Sequence, residues 1–197
     1  MSTVKSLSLA HISPETYNNY EAARSGFFSL VVEGLEGIAA AVKGRKLVEN
    51  VSEYLTLNVT QAPVPHFSLS KLQYKRGNDT INFAGVPEFQ DGEITVDDVV
   101  GLDTKSILMA WQHLAYNVDT RKGGRMKDYK KVATLIEYDQ AFDVVRKWKL
   151  HGCWVSNIQE DPFNKESDGK RGIRATIVYD RAEMISVPNN SLATENA

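Results

Sequence analysis

FDVVRKWKL (142–150) runs without a break into HGCWVSN (151–157), and the reading of this stretch decides the fold class. Phe142, Val144, Trp148 and Leu150 alternate with Lys147, Lys149 and His151. That period of two belongs to a β-strand with one face in a core. HGCWVSN raises a second question, because His151 and the chain's only cysteine, Cys153, stand two residues apart. On a regular strand they share a face, with Cβ atoms roughly 6–7 Å apart, close enough for a thiolate–imidazole pair. Nothing nearby lowers the thiol pKa or orients the imidazole, apart from diffuse charge at Lys147 and Lys149. A free cysteine is most often a small buried apolar residue. Cys153 is therefore expected to be structural, and Trp154, read on the Trp148/Leu150 face, a core residue.

Working outward, the neighbours are also strand-like. FFSLVVE (27–33) is rich in aromatic and β-branched residues, and EYLTLNVTQ (53–61) alternates Leu55, Leu57 and Val59 with Thr56, Asn58 and Thr60. FSLSKLQY (67–74) and TINFAG (80–85) flank Gly77-Asn78-Asp79, a hairpin turn signal, and Asp91-Gly92 precedes the strand EITVDDVV (93–100). IRATIVYD (173–180) places Ile173, Ala175, Ile177 and Tyr179 on one face. One helix interrupts the strands. From Thr104 to Val118, Ile107, Leu108, Trp111, Leu114, Ala115 and Val118 form one apolar stripe, with Asp103 or Thr104 as the N-cap. A second, short helix is expected at 35–43. Strands with one flanking amphipathic helix (about 104–118) predict a mainly β fold, a β-sandwich closing toward a barrel. Polar, aperiodic termini suggest a flexible arm at 1–25, a single β domain at 26–185 and a flexible tail at 186–197.

With 42% hydrophobic and 24% charged residues, the 197-residue chain has an ordinary globular composition. No apolar run reaches the ~18 residues of a membrane span, and the N-terminus lacks a signal-peptide core. One cysteine rules out a disulfide within the chain. The histidines, at 11, 66, 113 and 151, have no metal-site spacing, and no phosphate loop, dinucleotide fingerprint or nucleophile elbow occurs. No catalytic, cofactor or metal residues are therefore assigned. The net charge of −2 hides an asymmetry. Residues 77–104 hold no Lys or Arg but seven acids, among them Glu88, Asp91, Glu93, Asp97 and Asp98. The next loop collects Arg121, Lys122, Arg125, Lys127, Lys130 and Lys131 around Tyr129. Six cations beside an aromatic ring suit a phosphate- or nucleic-acid-binding module. A contact between the basic patch of one copy and the acidic patch of the next fits the slightly negative total better.

Taken in order, KLQYKRGNDTINFAGVPEFQDGEITV (71–96), ILMAWQHL (107–114), DYKKVATLIEYD (128–139), WKLHGCWVSNI (148–158) and IRATIVYD (173–180) resemble the tail tube proteins of contractile-tailed, T4-like bacteriophages. The similarity covers about residues 65–181 and rests on the order and spacing of short motifs. Gly152-Cys153-Trp154 matches the family's Gly-x-Trp strand end. The family often has proline next, where this chain has Val155, and the stretch from Glu33 to Ser52 is extra material.

The resemblance implies a sandwich with a flanking helix, six copies closing into rings, and rings stacking into a tube that conducts viral DNA. It implies no catalysis, no cofactor and no membrane. The implied partners are the same chain, a tail sheath, a baseplate and a tape-measure protein, in a virion tail assembled in the host cytoplasm. A tube initiator or terminator, or the inner tube of a phage-like secretion particle, would share the fold. On this reading Glu88, Asp91, Glu93, Asp97 and Asp98 are lumen or ring-contact candidates. Arg121, Lys122, Arg125, Lys127, Lys130 and Lys131 are inter-subunit candidates, turned away from the channel. Tyr74, Lys75, Arg76, Asn78 and Asp79 are ring-stacking candidates on the hairpin, and Trp111, Trp148 and Trp154 are structural core.

Overall fold

A computed structural model describes residues 24–36, 38, 51–99, 104–162, 164 and 169–185 of the chain. Its first elements are β1 (Phe28–Glu33), α1 (Val51–Asn58), β2 (Val59–Gln61), β3 (Phe67–Arg76), β4 (Asp79–Phe89) and β5 (Gly92–Asp97). There follow α2 (Thr104–Ala115), β6 (Tyr116–Asn117), β7 (Lys122–Gly123) and the single helical turn α3 (Met126–Tyr129). The last strands are β8 (Lys131–Tyr138), β9 (Val144–Glu160), β10 (Gly172–Val178) and β11 (Arg181–Ile185).

The opening stretch of sequence belongs to β9, whose 17 residues organise everything else. Its first half pairs with β8 on one side and β11 on the other, and its second half pairs with β10. The resulting seven-stranded antiparallel sheet, in the order β1-β8-β9-β10-β5-β2 with β11 also on β9, curls into a half-barrel. The mainly β architecture is the one the sequence predicts.

Curling requires β9 to bend, and bulges supply the bend. Lys131 pairs with Cys153 but Val132 with His151, leaving Gly152 as an extra residue, and Ser156 is skipped in the same way opposite β10. Gly152 has φ +71°, a conformation other residues adopt only with strain. The extra residue reverses the alternation, so Leu150, Cys153 and Val155 all point into the core. The expectation that His151 and Cys153 share a face fails for this reason, as does the placement of Trp154 beside Leu150. Trp154 is half-buried on the opposite face, its ring 6.0 Å from that of Tyr129.

Leu30, Val32, Leu135, Leu150, Ile94, Val96, Ile173, Ala175 and Ile177 fill the concave side of the sheet. Helices α1 and α2 close it with Val51, Leu55, Ile107, Leu108 and Trp111. Trp111 is fully buried, and its indole N–H donates to the carbonyl of Tyr129 at 2.9 Å. Trp148 is partly buried and packs against this cluster.

Segment 53–61, read as a strand, is helix α1 followed by the short strand β2. Val51 and Leu55, four apart, are buried, whereas Leu57 is 72% exposed. The helix has a task the alternation conceals. Thr56 Oγ1 donates to the carbonyl of Leu30 at 3.0 Å, covering the outer edge of β1. Helix α2 stops at Ala115 rather than Val118, because Tyr116 and Asn117 turn to pair with Gly123 and Lys122. Val118 is 64% exposed, and Phe142, exposed with φ +64°, lies in the turn before β9 rather than on its inner face. The expected N-cap Asp103 and most of the expected helix 35–43 lie outside the described residues, as do the terminal segments 1–23 and 186–197.

A Cβ at Gly152 would sit 2.2 Å from Asp180 Oδ2. Gly152→Ala is expected to cost about 2–3 kcal/mol in urea denaturation, combining left-handed strain with that clash. Gly123→Ala, where a Cβ meets nothing within 4 Å, is expected to stay within about 0.5 kcal/mol of wild type.

Candidate assembly surfaces

Strands β3 and β4 form a two-stranded sheet of their own, separate from the half-barrel. They are joined through Gly77-Asn78, with Arg76 opposite Asp79 and Gly77 at φ +63°. Every residue of β3 is exposed, and so is most of β4. The register sorts the side chains. Tyr74 lies opposite Ile81 and Leu72 opposite Phe83, on one face, while Lys75–Thr80, Gln73–Asn82 and Lys71–Ala84 make up the other. Tyr74, Ile81, Leu72 and Phe83 are 61, 39, 58 and 56% exposed respectively, which makes this face a contiguous exposed apolar patch. Full burial would return about 1.5–3 kcal/mol per side chain, whereas a lone two-stranded hairpin is marginal in water. Of these four only Tyr74 stands among the stacking candidates. Leu72, Ile81 and Phe83 could have been found by applying the two-residue period across the Gly77-Asn78 turn.

At the hairpin's root the chain is anchored. Phe67 meets Phe89 at 5.6 Å between ring centres, and Phe89 meets the buried Tyr179 at 6.0 Å. Burial pushes the Tyr179 hydroxyl upward from its ordinary pKa. A fixed root with a free blade makes a projecting lever.

The basic loop forms an exposed shoulder fastened to the body at several points. Gly124 donates its N–H to the carbonyl of Ala115 at 2.9 Å, satisfying the end of α2. A Cβ there would lie 1.7 Å from the carbonyl oxygen of Leu114, so only glycine fits. α3 is held by Trp111 through the Tyr129 carbonyl and by the Tyr129–Trp154 ring contact. Arg121, Lys122, Arg125 and Lys127 project from this shoulder, exposed and without an ion pair among the described residues. Lys130 differs. Its ammonium grips both oxygens of Asp180, at 2.6 and 2.8 Å, beside the Gly152 bulge. Lys131 is half-buried.

The acidic candidates separate likewise. Asp97 pairs with Lys170 at 3.1 Å and Asp98 with Arg171 at 3.3 Å. Arg171 also pairs with Glu160, which binds Lys105 at 2.6 Å, and Asp161 pairs with Arg174 at 3.0 Å. These bonds hold Glu160 and Asp161 below the usual carboxylate range, chiefly through Lys105 and Arg174 respectively. Glu88, Asp91 and Glu93 are exposed and carry no such partner among the described residues.

No chemistry gathers around the single thiol. Cys153 is fully buried, and burial pushes its pKa up to about 12. His151 points the other way, with Nε2 2.6 Å from Glu183. Its hydrogen bond and the neighbouring Arg181 hold Glu183 below its ordinary value. Among the described residues no group of three or more His, Cys, Asp or Glu could hold a metal, and no helix is long and apolar enough to cross a membrane. An apolar cavity of about 20 Å³ between Trp111, Leu150 and Tyr179 has room for about one water molecule and no ligand.

Known proteins share this arrangement. The chain is 24% identical over 125 residues to the tail tube protein gp19 of Enterobacteria phage T4, a match spanning 62% of this chain and 77% of the phage protein. The tail tube protein gp19 of Enterobacteria phage T6 gives the same figures. In sequence and in fold, the chain is tail-tube-like. A subunit of the sheath–tube complex of an extracellular contractile injection system superposes with TM-score 0.62 at 13% identity, over 89% of this chain and 99% of that one. The tube-terminating cap of the anti-feeding prophage gives 0.60 at 12% identity, over 85% and 93%. No protein-family model matches the chain.

A buried, protonated thiol should not react in the folded state. Cys153 is expected to modify at neutral pH only at the rate of global unfolding, measured by thiol labelling across a urea series. The lowered carboxylates fix the sign on the acid side. A depressed folded pKa contributes stability that is present above the ordinary values, 4.5 for Glu160 and Glu183 and 3.8 for Asp161, and lost as pH falls through the folded ones. Thermal melts should therefore show stability level near neutrality and declining below those values.

Proposed function

We propose that this protein is a structural subunit of the tail tube of a contractile phage-type particle. It acts by assembly and without catalysis. Copies close into six-membered rings, and the rings stack into a hollow conduit through which DNA leaves the virion. The observation that carries the reading is the β3–β4 blade, whose apolar face of Leu72, Tyr74, Ile81 and Phe83 is left 39–61% exposed. A projecting sheet with such a face suits a contact between stacked copies, where burial supplies the missing stability. Sequence similarity to gp19 over 125 residues supports the same role.

The partners follow from the place of a tube in such particles: further copies above and below, a sheath outside, a baseplate at one end and a tape-measure protein within. The shoulder of Arg121, Lys122, Arg125 and Lys127 is suited to subunit or sheath contacts, since cations lining a conduit would retain a polyanion. Assembly takes place in the host cytoplasm, before the tail joins the virion.

Negative-stain electron microscopy and analytical ultracentrifugation of the full-length chain test the reading. Rings or hollow tubes at high concentration are expected, and a chain that stays monomeric at every concentration, with or without a tube initiator, overturns it. The triple variant Leu72→Ser/Tyr74→Ser/Phe83→Ser is expected to keep the wild-type melting transition, because these side chains lie outside the core, and to lose stacked tubes. Tubes of normal length from this variant would remove the hairpin from the stacking contact.

A further inference from the structure

The turn from β8 into β9 holds an aromatic ring out in solvent, in a backbone conformation that does not favour it. Asp139 builds the turn. Its Oδ1 accepts from the N–H groups of Ala141 and Asp143, both at 2.8 Å, and its own N–H donates to the carbonyl of Asp143 at 3.0 Å. Inside this loop the chain passes through the left-handed region at Phe142, with φ +64°. A bulky residue is an outlier there, and glycine would take the position with less strain. Phe142 is nevertheless 70% exposed, so core packing does not account for the choice. Its ring neighbour is the half-buried Phe27, edge-on at 5.5 Å, whose carbonyl accepts the N–H of Tyr138 at 2.9 Å. Acids surround this knob. Asp139 and Asp143 carry no ion pair among the described residues, Glu137 pairs with Arg146, and Arg24 lies three positions before Phe27.

The opposite end of β8 carries the complement. The basic shoulder leads into Lys131 and the knob follows Tyr138, so eight residues of strand, about 25 Å at ~3.3 Å per residue, separate them. On the shoulder Tyr116, Val118 and Met126 are 52, 64 and 62% exposed. Arg121, Lys122, Arg125 and Lys127 stand among them, with Asp119 and Asp128 offsetting only two of the four charges. One end of β8 is therefore aromatic with an excess of acid, and the other is apolar with an excess of base. They cannot meet within one subunit, because β8 lies between β1 and β9 and keeps them apart. They do meet when a second copy is displaced along β8. Such a head-to-tail contact uses two different patches and can repeat from copy to copy.

We infer that Phe142 of one copy seats among Tyr116, Val118 and Met126 of the next, with Asp139 and Asp143 facing that copy's basic shoulder. The inference rests on the self-assembly proposed above and names a contact separate from the β3–β4 blade. Its chemistry is that of an interface anchor: an aromatic side chain enters an apolar patch, and the charges around it fix the pairing.

The test measures, by sedimentation, the concentration at which the full-length chain is half assembled. Phe142→Gly relieves the left-handed strain and is expected to keep the wild-type melting transition while raising that concentration at least ~10-fold. Asp143→Lys, a change to an exposed side chain that leaves the Asp139 brace in place, and the pair Arg125→Glu/Lys127→Glu should each weaken assembly. Combining all three reversals in one chain restores opposite charges across every contact and is expected to recover most of the loss. Assembly of Phe142→Gly at the wild-type concentration overturns the inference. Weakening by both reversals with no recovery in the combined chain shows that the two patches face other partners and overturns it as well. In these cases the wild type still assembles and the tube reading stands. A wild type that never assembles removes the tube reading and this contact together.

Discussion

The bend in β9 at Gly152 is the constraint on which the rest of the molecule depends. One long strand serves two regions of the sheet only because an extra residue lets its side chains change sides part-way. The bulge needs a residue that accepts φ +71° and leaves room for Asp180, and glycine meets both conditions. Asp180 in turn holds Lys130, which fixes the point where α3 enters β8. The curl, the closed core and the position of the basic shoulder therefore trace back to one backbone conformation. Trp111 ties the same corner from inside, through the carbonyl of Tyr129.

Against this braced half-barrel, the β3–β4 blade is a different kind of object. It has no core of its own and exposes an apolar face that a free monomer would be expected to hide. Lysines on its other face and a charged tip at Arg76 and Asp79 oppose indiscriminate pairing by such an edge-rich sheet. The molecule thus divides its labour. Packing stabilises the body, whereas the blade is held mainly by its own strand pairing and its aromatic root.

How much of this was legible in the sequence depended on how local the deciding interaction was. Ile173, Ala175 and Ile177 announced the inner face of β10 because their alternation survives intact in the fold. Helix α1 was hidden because EYLTLN alternates for too few residues to separate a strand from a helix, and its contact with Leu30 is made from 26 residues away. The bulge at Gly152 was unreadable for a related reason: a glycine in a strand signals irregularity without saying on which side the chain resumes. The acidic run looked like one patch, yet Asp97 and Asp98 are spent on Lys170 and Arg171, partners 73 positions distant. The hairpin's apolar face, by contrast, was available from Gly77-Asn78 and the two-residue period, had both been applied together.

Sealing the only cysteine has a consequence for ageing. With its sulfur enclosed and protonated, the subunit cannot form a disulfide to a neighbour without unfolding, so the durability of any assembly comes from reversible contacts. Oxidative wear is displaced onto the thioethers. Met126 and Met184 are 62% and 61% exposed, and conversion to the polar sulfoxide would alter the shoulder and the margin of β11 while leaving the core chemically untouched. Any assembly of this chain would then lose its surface contacts before the subunit loses its fold.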